Sequence, residues 1–276
     1  MTSFLICYPD VSASALTYSA SQTYDSNYPL FNSIYGDRMG YAQLSSNQSS
    51  VAITYDLGTG NSRTVDHFIL GGCAVLKANG VTEARLQGSN DGSTWTDQLG
   101  TAAAFQSRTF DGTDDDDIIF TAAYNDQFSA TLAAYRYFKV TLAGGSAHKF
   151  PVSKIYFGAS LDMGKEPDFY DMEVLTEEDS DTWRYHRGQV LMTKAYYPQH
   201  KITIEWDGVS DTVRANFFAK LLSNPVKKHV FLYTATYSDP LYDNKLVHCK
   251  VVDSECSSVQ RKQDWNDIRA VFLEMS

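Results

Sequence analysis

With 276 residues and 43% hydrophobic side chains, the chain can build one large β domain or two domains of ordinary size. Its formal net charge of −10 excludes a protein built to coat nucleic acid, which would be basic. No apolar run approaches the roughly 18 residues that a spanning helix needs, so membrane insertion is not expected.

Aromatic residues make up 13% of the chain, led by 18 Tyr and 15 Phe, which favours β structure, where such rings pack on a pleated surface. The start of the chain lacks the basic region and long apolar run of a secretory signal. Cys7, Cys73, Cys249 and Cys256 form no CxxC pair, so a zinc site is not expected. Free thiols are the expectation, with a Cys249–Cys256 bridge across a hairpin left open.

Taken in order, residues 1–50 read as short extended pieces rich in Ser and Tyr, without helical period. Residues 27–39 carry a Pro, a Gly and several aromatics, and are predicted to form a loop over a sheet. At 50–57 the pattern alternates, with Val51, Ile53 and Tyr55 pointing one way. A second strand is predicted at 65–70, ended by Gly71 and Gly72, and a third at 81–86. Asn90, Asp91 and Gly92 then form a turn, since Asn and Asp tolerate left-handed backbone and Gly has no Cβ to clash. Trp95 follows and is expected to pack inward.

Asp111 and the run Asp114, Asp115, Asp116 and Asp117 have the oxygen ligands a hard cation needs, but not a spaced ligand pattern, so a solvated turn is expected. Strands follow at 118–123, 135–142 and 152–157; in the second, Phe138, Val140 and Leu142 alternate with Tyr137, Lys139 and Thr141. Short strands separated by turn signals define a mainly β fold, a β-sandwich jelly roll over residues 1–160. Residues 161–182 read as a linker that becomes an arm or edge strand. Residues 183–276 read as a smaller α+β module with one helix at 211–223, where Val213, Phe217 and Leu221 form a stripe and Ser210 or Asp211 caps.

The sequence carries no GxSxG, HExxH, GxGxxG or P-loop motif, and its His residues are scattered, so neither catalysis, a cofactor nor a metal is expected. Aromatics offer the better argument. Tyr24, Tyr28, Phe31, Tyr35 and Tyr41 crowd one loop-rich stretch. Rings beside polar groups can stack on sugars, which makes Tyr28, Phe31, Tyr35, Asp37 and Arg38 the candidate ligand contacts.

Residues 20–158 resemble the discoidin, or F5/8 type C, family of galactose-binding-like jelly rolls. The likeness lies in the segments YPLFNSIYGDRM, SSVAITYDLG, TVDHFIL, LQGSNDGSTWTD and YRYFKVTL, in that order. It makes Asp56, Gly58, Ser89, Asp91, Gly92, Trp95 and Arg136 fold-defining, and implies ligands in loops at one end of the barrel. The sequence departs from the family in having Ile53 and Tyr55 where a Trp is frequent, and in lacking the bracketing Cys pair. Residues 183–276 resemble modules of tailed-bacteriophage distal-tail and baseplate proteins, through Arg187-Gly188, Ile202–Trp206, the helix, Phe231–Tyr233 and Trp265 with Phe272–Glu274.

These resemblances imply a non-enzymatic component of a phage tail tip, assembled in the host cytoplasm. It would form a homo-oligomeric ring with other tail proteins, its jelly roll turned outward toward neighbours or host glycans. The alternative is a stand-alone carbohydrate-binding lectin or adhesin.

Overall fold

The computed structural model describes residues 4–7, 15, 17–30, 33, 41–99, 118–121, 132–165, 167–175, 181–184, 190–194, 199–222, 229–234, 245–252 and 255–274. The fold is mostly β. In chain order the elements are β1 (Phe4–Cys7), β2 (Thr17–Ala20), β3 (Gln48–Asp56), β4 (His67–Gly71), α1 (Cys73–Ala78), β5 (Val81–Ser89), β6 (Thr96–Asp97), β7 (Ile118–Thr121), β8 (Tyr137–His148), β9 (Lys154–Gly158) and β10 (Ser160–Leu161). There follow β11 (Phe169–Leu175), β12 (Asp181–Arg184), β13 (Val190–Lys194), β14 (Gln199–Val209), α2 (Asp211–Phe217), β15 (His229–Thr234), β16 (Lys245–Val251), β17 (Ser257–Lys262) and β18 (Trp265–Glu274). The chain divides into two compact units, Ser3–Asp162 with Phe231–Leu246, and Met163–Val230 with Val247–Ser276.

The first unit is a β-sandwich. One sheet has the order β2-β3-β8-β5-β6 and the other β7-β4-β9, and neither closes on itself. Alternation sets the inner faces. Val51, Ile53 and Tyr55 of β3, Phe138, Val140 and Leu142 of β8, and Ala84 and Leu86 of β5 meet Phe68, Leu70, Phe120, Ile155 and Phe157 of the second sheet in one buried cluster. Tyr55 meets Phe157 edge to face at 4.8 Å between ring centroids, and Phe138 tilts onto Phe157 at 5.4 Å. Burial of the Tyr55 hydroxyl pushes its pKa well up. In the same unit β1 pairs antiparallel with β10 and with Phe231–Thr234 of β15.

The helix α1 departs from expectation, because Gly71 and Gly72 were read as a break alone. Gly72 adopts left-handed backbone at φ 79° and starts the helix, whose six residues are too few to show a period.

The second unit centres on β18. It pairs with β14, β16 and β17, and β14 pairs in turn with β11. Ile202, Ile204, Trp206, Ile268, Ala270 and Phe272 are buried on one face, as the alternation predicts. The helix α2 begins at the expected cap, the Ser210 hydroxyl accepting a hydrogen bond from Val213 N at 3.3 Å. It is shorter than expected. The α turns end at Phe217 and the chain continues as a π-turn over Phe218–Leu222, which keeps Phe217 and Leu221 buried. β11 pairs with one strand only, β14, among the described residues.

Candidate functional site

At one end of the sandwich six of the seven residues expected to define the fold, all but Trp95, assemble as a clasp. Asp56 ends β3, and Arg136 stands just before β8. The Arg136 guanidinium donates two hydrogen bonds to the Asp56 carboxylate, at 2.7 and 2.8 Å. Asp56 also accepts from the backbone N–H of Gly58 at 2.7 Å, while Gly58 turns the chain at φ 88°. The Arg136 side chain, bonded to this carboxylate, holds the Asp56 pKa below its usual value.

The turn between β5 and β6 joins the same clasp. Ser89 Oγ donates to Asp91 at 2.9 Å and accepts from Gly92 N at 3.0 Å. The Asp91 carboxylate accepts from Ser93 N at 2.8 Å and from Thr94 N at 2.7 Å. These hydrogen bonds, backbone donors first, hold its pKa well below the carboxylate range. Asn90 then spans the gap, its amide donating to Ala134 O at 3.4 Å and its carbonyl accepting from Arg136 N at 3.2 Å. Asn90 was legible only as a turn former. Its bridging role needs β8 to lie beside β5, which the sequence does not state. Within the clasp the side chains of Asp56, Arg136, Ser89, Asp91 and Asn90 bond one another or nearby backbone.

Trp95 corrects the expectation of an inward side chain. Asp97 lies opposite Gln87, and the two side chains meet outside the sandwich at 2.7 Å. Trp95 precedes Asp97 by two positions, so it falls on the same outer face. There it is half-buried, with Lys139 Nζ 4.2 Å above its ring. The side chain returned to the core after the turn is Leu99.

The opposite end of β8 carries the tyrosines. Beyond His148 the chain pairs back, Leu44 N donating to Lys149 O at 2.8 Å and Ala42 bridging to Val152. Tyr41 therefore sits at the end of the sandwich away from the clasp. Its ring stacks on Tyr28, at 4.5 Å between centroids and 17° between planes. Tyr41 is 37% exposed and Tyr28 half-buried. Tyr24 differs, packing against the core with its hydroxyl buried, which raises its pKa.

Asp25 fixes the spacing of the pair. Its N–H donates to Gln43 O at 2.8 Å, and Gln43 N donates to Tyr28 O at 3.0 Å, closing the two segments on each other. The Asp25 carbonyl accepts from Tyr28 N at 3.1 Å, and its carboxylate Oδ1 from Asn27 N at 2.9 Å. A hydrogen bond to Tyr28 raises the Tyr41 hydroxyl pKa, and the nearby Asp25 charge adds to this.

Of the candidate ligand contacts only Tyr28 falls within the described residues; Phe31, Tyr35, Asp37 and Arg38 lie outside them, as do Asp111 and the run from Asp114 to Asp117. Among the described residues no group of three or more His, Cys, Asp or Glu could hold a metal ion, and no helix is long and apolar enough to cross a membrane. None of the four cysteines forms a disulfide.

No protein-family model and no curated protein matches the sequence. Several solved structures resemble this one. They include chitosan-binding module 1 of a chitosanase/glucanase from Paenibacillus sp. IK-5, 18% identical, covering 54% of this chain and 98% of that module at a TM-score of 0.38. The CBM32 module of AlyQ, solved with 4,5-unsaturated mannuronic acid, is 20% identical and covers 52% of this chain and 94% of its own at 0.36. A second CBM32 module, from a family 31 glycoside hydrolase of Clostridium perfringens, is 15% identical and covers 54% of this chain and 93% of its own at 0.37. All three are carbohydrate-binding modules, and none is a tail or baseplate protein.

Proposed function

We propose that the protein is a non-catalytic carbohydrate-binding protein, a lectin or adhesin, that holds a sugar against the Tyr28–Tyr41 pair. The observation that carries this is the stacked, 37%-exposed Tyr41 ring, held in place by the Asp25 turn. A preset aromatic ring offers a sugar's C–H face apolar contact at small entropic cost, because the ring is already ordered before the ligand arrives. Hydroxyl groups at the ring edge supply directional bonds. The outer-face Trp95 takes no part, since Lys139 covers it.

The test is glycan-array binding with wild type and Tyr41→Ala. The proposal expects a bound glycan class that Tyr41→Ala loses without change in melting temperature. Binding to no glycan at all, or binding that Tyr41→Ala leaves intact, overturns it.

A tail or baseplate component that assembles through the second unit is the other reading. One observation favours it. The edge strand β11 has a neighbour on one side only among the described residues, and Phe169 at its start is 48% exposed. A ring-sized mass by light scattering, reduced by Phe169→Lys, would support assembly; a monomer at all concentrations would exclude it.

A further inference from the structure

We infer that the sugar taken by the Tyr28–Tyr41 pair carries a protonated amine, which the Asp25 carboxylate receives; this rests on the carbohydrate-binding reading above. Asp25 heads the turn that carries Tyr28, and its N–H is bonded to the segment that carries Tyr41. Its carboxylate is held on that turn by Asn27 N, one position before Tyr28. One carboxylate oxygen accepts from Asn27 N at 2.9 Å, while the other accepts no hydrogen bond from a described residue. No described cation pairs with it, although the chain forms ion pairs elsewhere, such as Glu83 with Arg85 at 2.7 Å. The Asp25 charge also adds to the upward shift of the Tyr41 hydroxyl pKa, after the hydrogen bond to Tyr28 and burial.

An aromatic face with a carboxylate at its edge is suited to an ammonium group. The ring quadrupole attracts the cation, and the carboxylate accepts its N–H bonds. A carboxylated sugar would meet repulsion at the same place, and the net charge of −10 would oppose its approach. A neutral sugar would gain the stacking contact and leave Asp25 unused.

The experiment compares a glucosamine oligomer with free amines against its fully N-acetylated counterpart of equal length, by calorimetry on the full chain. Wild type, Asp25→Asn and Tyr41→Ala are measured, with melting temperatures as a control for folding. Support is at least about a tenfold preference for the free-amine oligomer, the size of one favourable charge contact. Asp25→Asn should remove that preference, and added salt should weaken it in wild type. Equal affinity for both oligomers, with Tyr41→Ala losing both, overturns this inference and leaves the tyrosine platform standing. A preference that survives Asp25→Asn also overturns it. Binding that Tyr41→Ala does not change, or no binding of either oligomer, overturns both.

Discussion

Arg136 lies 80 positions from Asp56, yet its guanidinium donates to both carboxylate oxygens at 2.7 and 2.8 Å. The pair joins the end of one strand to the start of its neighbour. A bidentate fork needs the planar five-donor group of Arg, so Lys cannot replace it. Arg136→Ala and Arg136→Lys should both lower the melting temperature, with Arg136→Lys the milder. Equal stability of Arg136→Lys and wild type would show that charge alone suffices. The loss should be smaller than that of a core deletion, because both partners are partly exposed to solvent.

The same clasp sets an acid limit. Asp56 and Asp91 both have folded pKa values below the unfolded carboxylate value of about 3.9. A depressed carboxylate contributes stability that is fully present above the unfolded pKa and is lost as pH falls through the folded one. Stability from these groups should therefore be flat from pH 7 to about 5 and fall below about 4. Asp91→Asn should flatten the acid limb of a denaturant-midpoint series against pH. An unchanged limb would remove Asp91 from the account.

Trp95 should matter less than a core aromatic. Removal of a buried Trp costs about 3–5 kcal/mol, but Trp95 is half-buried and its main polar contact is Lys139. Trp95→Ala should cost about 1–2 kcal/mol in urea unfolding, a value between an exposed cation–π contact and a core deletion. A loss above about 3 kcal/mol would place the ring in the core after all.

Gly88 has a specific steric role. A Cβ there would approach Tyr135 Cγ to 2.6 Å, and Tyr135 packs edge to face on the buried Phe138. Gly88→Ala should cost about 1–3 kcal/mol as overpacking. Tyr135→Ala should cancel part of that cost in a double-mutant cycle, and strict additivity would refute the contact.

Tyr55 offers the opposite sign. Its hydroxyl is buried without a hydrogen-bond partner among the described residues, while its ring packs on Phe157. Tyr55→Phe keeps the ring and removes an unsatisfied polar group, so stability should hold or rise by about 1 kcal/mol. A clear loss in chemical denaturation would show that the hydroxyl is satisfied in solution.

The strands with one buried face were legible, because a period of two is written directly into Val51, Ile53 and Tyr55 and into Phe138, Val140 and Leu142. The turn at Asn90 to Gly92 was legible from its residue types. What the sequence hid depends on register between distant segments. The face on which Trp95 falls follows from Asp97 lying opposite Gln87, and the bridge made by Asn90 follows from β8 lying beside β5. Five aromatics in one stretch looked alike in sequence. The fold separates Tyr24, packed against the core, from the stacked Tyr28 and Tyr41. Short strands such as β1 pair with segments more than a hundred positions away, and no local pattern specifies that.

The most direct test of the proposed carbohydrate-binding surface sets the two ends of the sandwich against each other. Wild type, Tyr41→Ala and Trp95→Ala are titrated with one bound glycan while their melting temperatures are followed. The account predicts that Tyr41→Ala loses binding with its melting temperature kept, and that Trp95→Ala binds as wild type with its melting temperature lowered. Binding lost in Trp95→Ala and retained in Tyr41→Ala would contradict it.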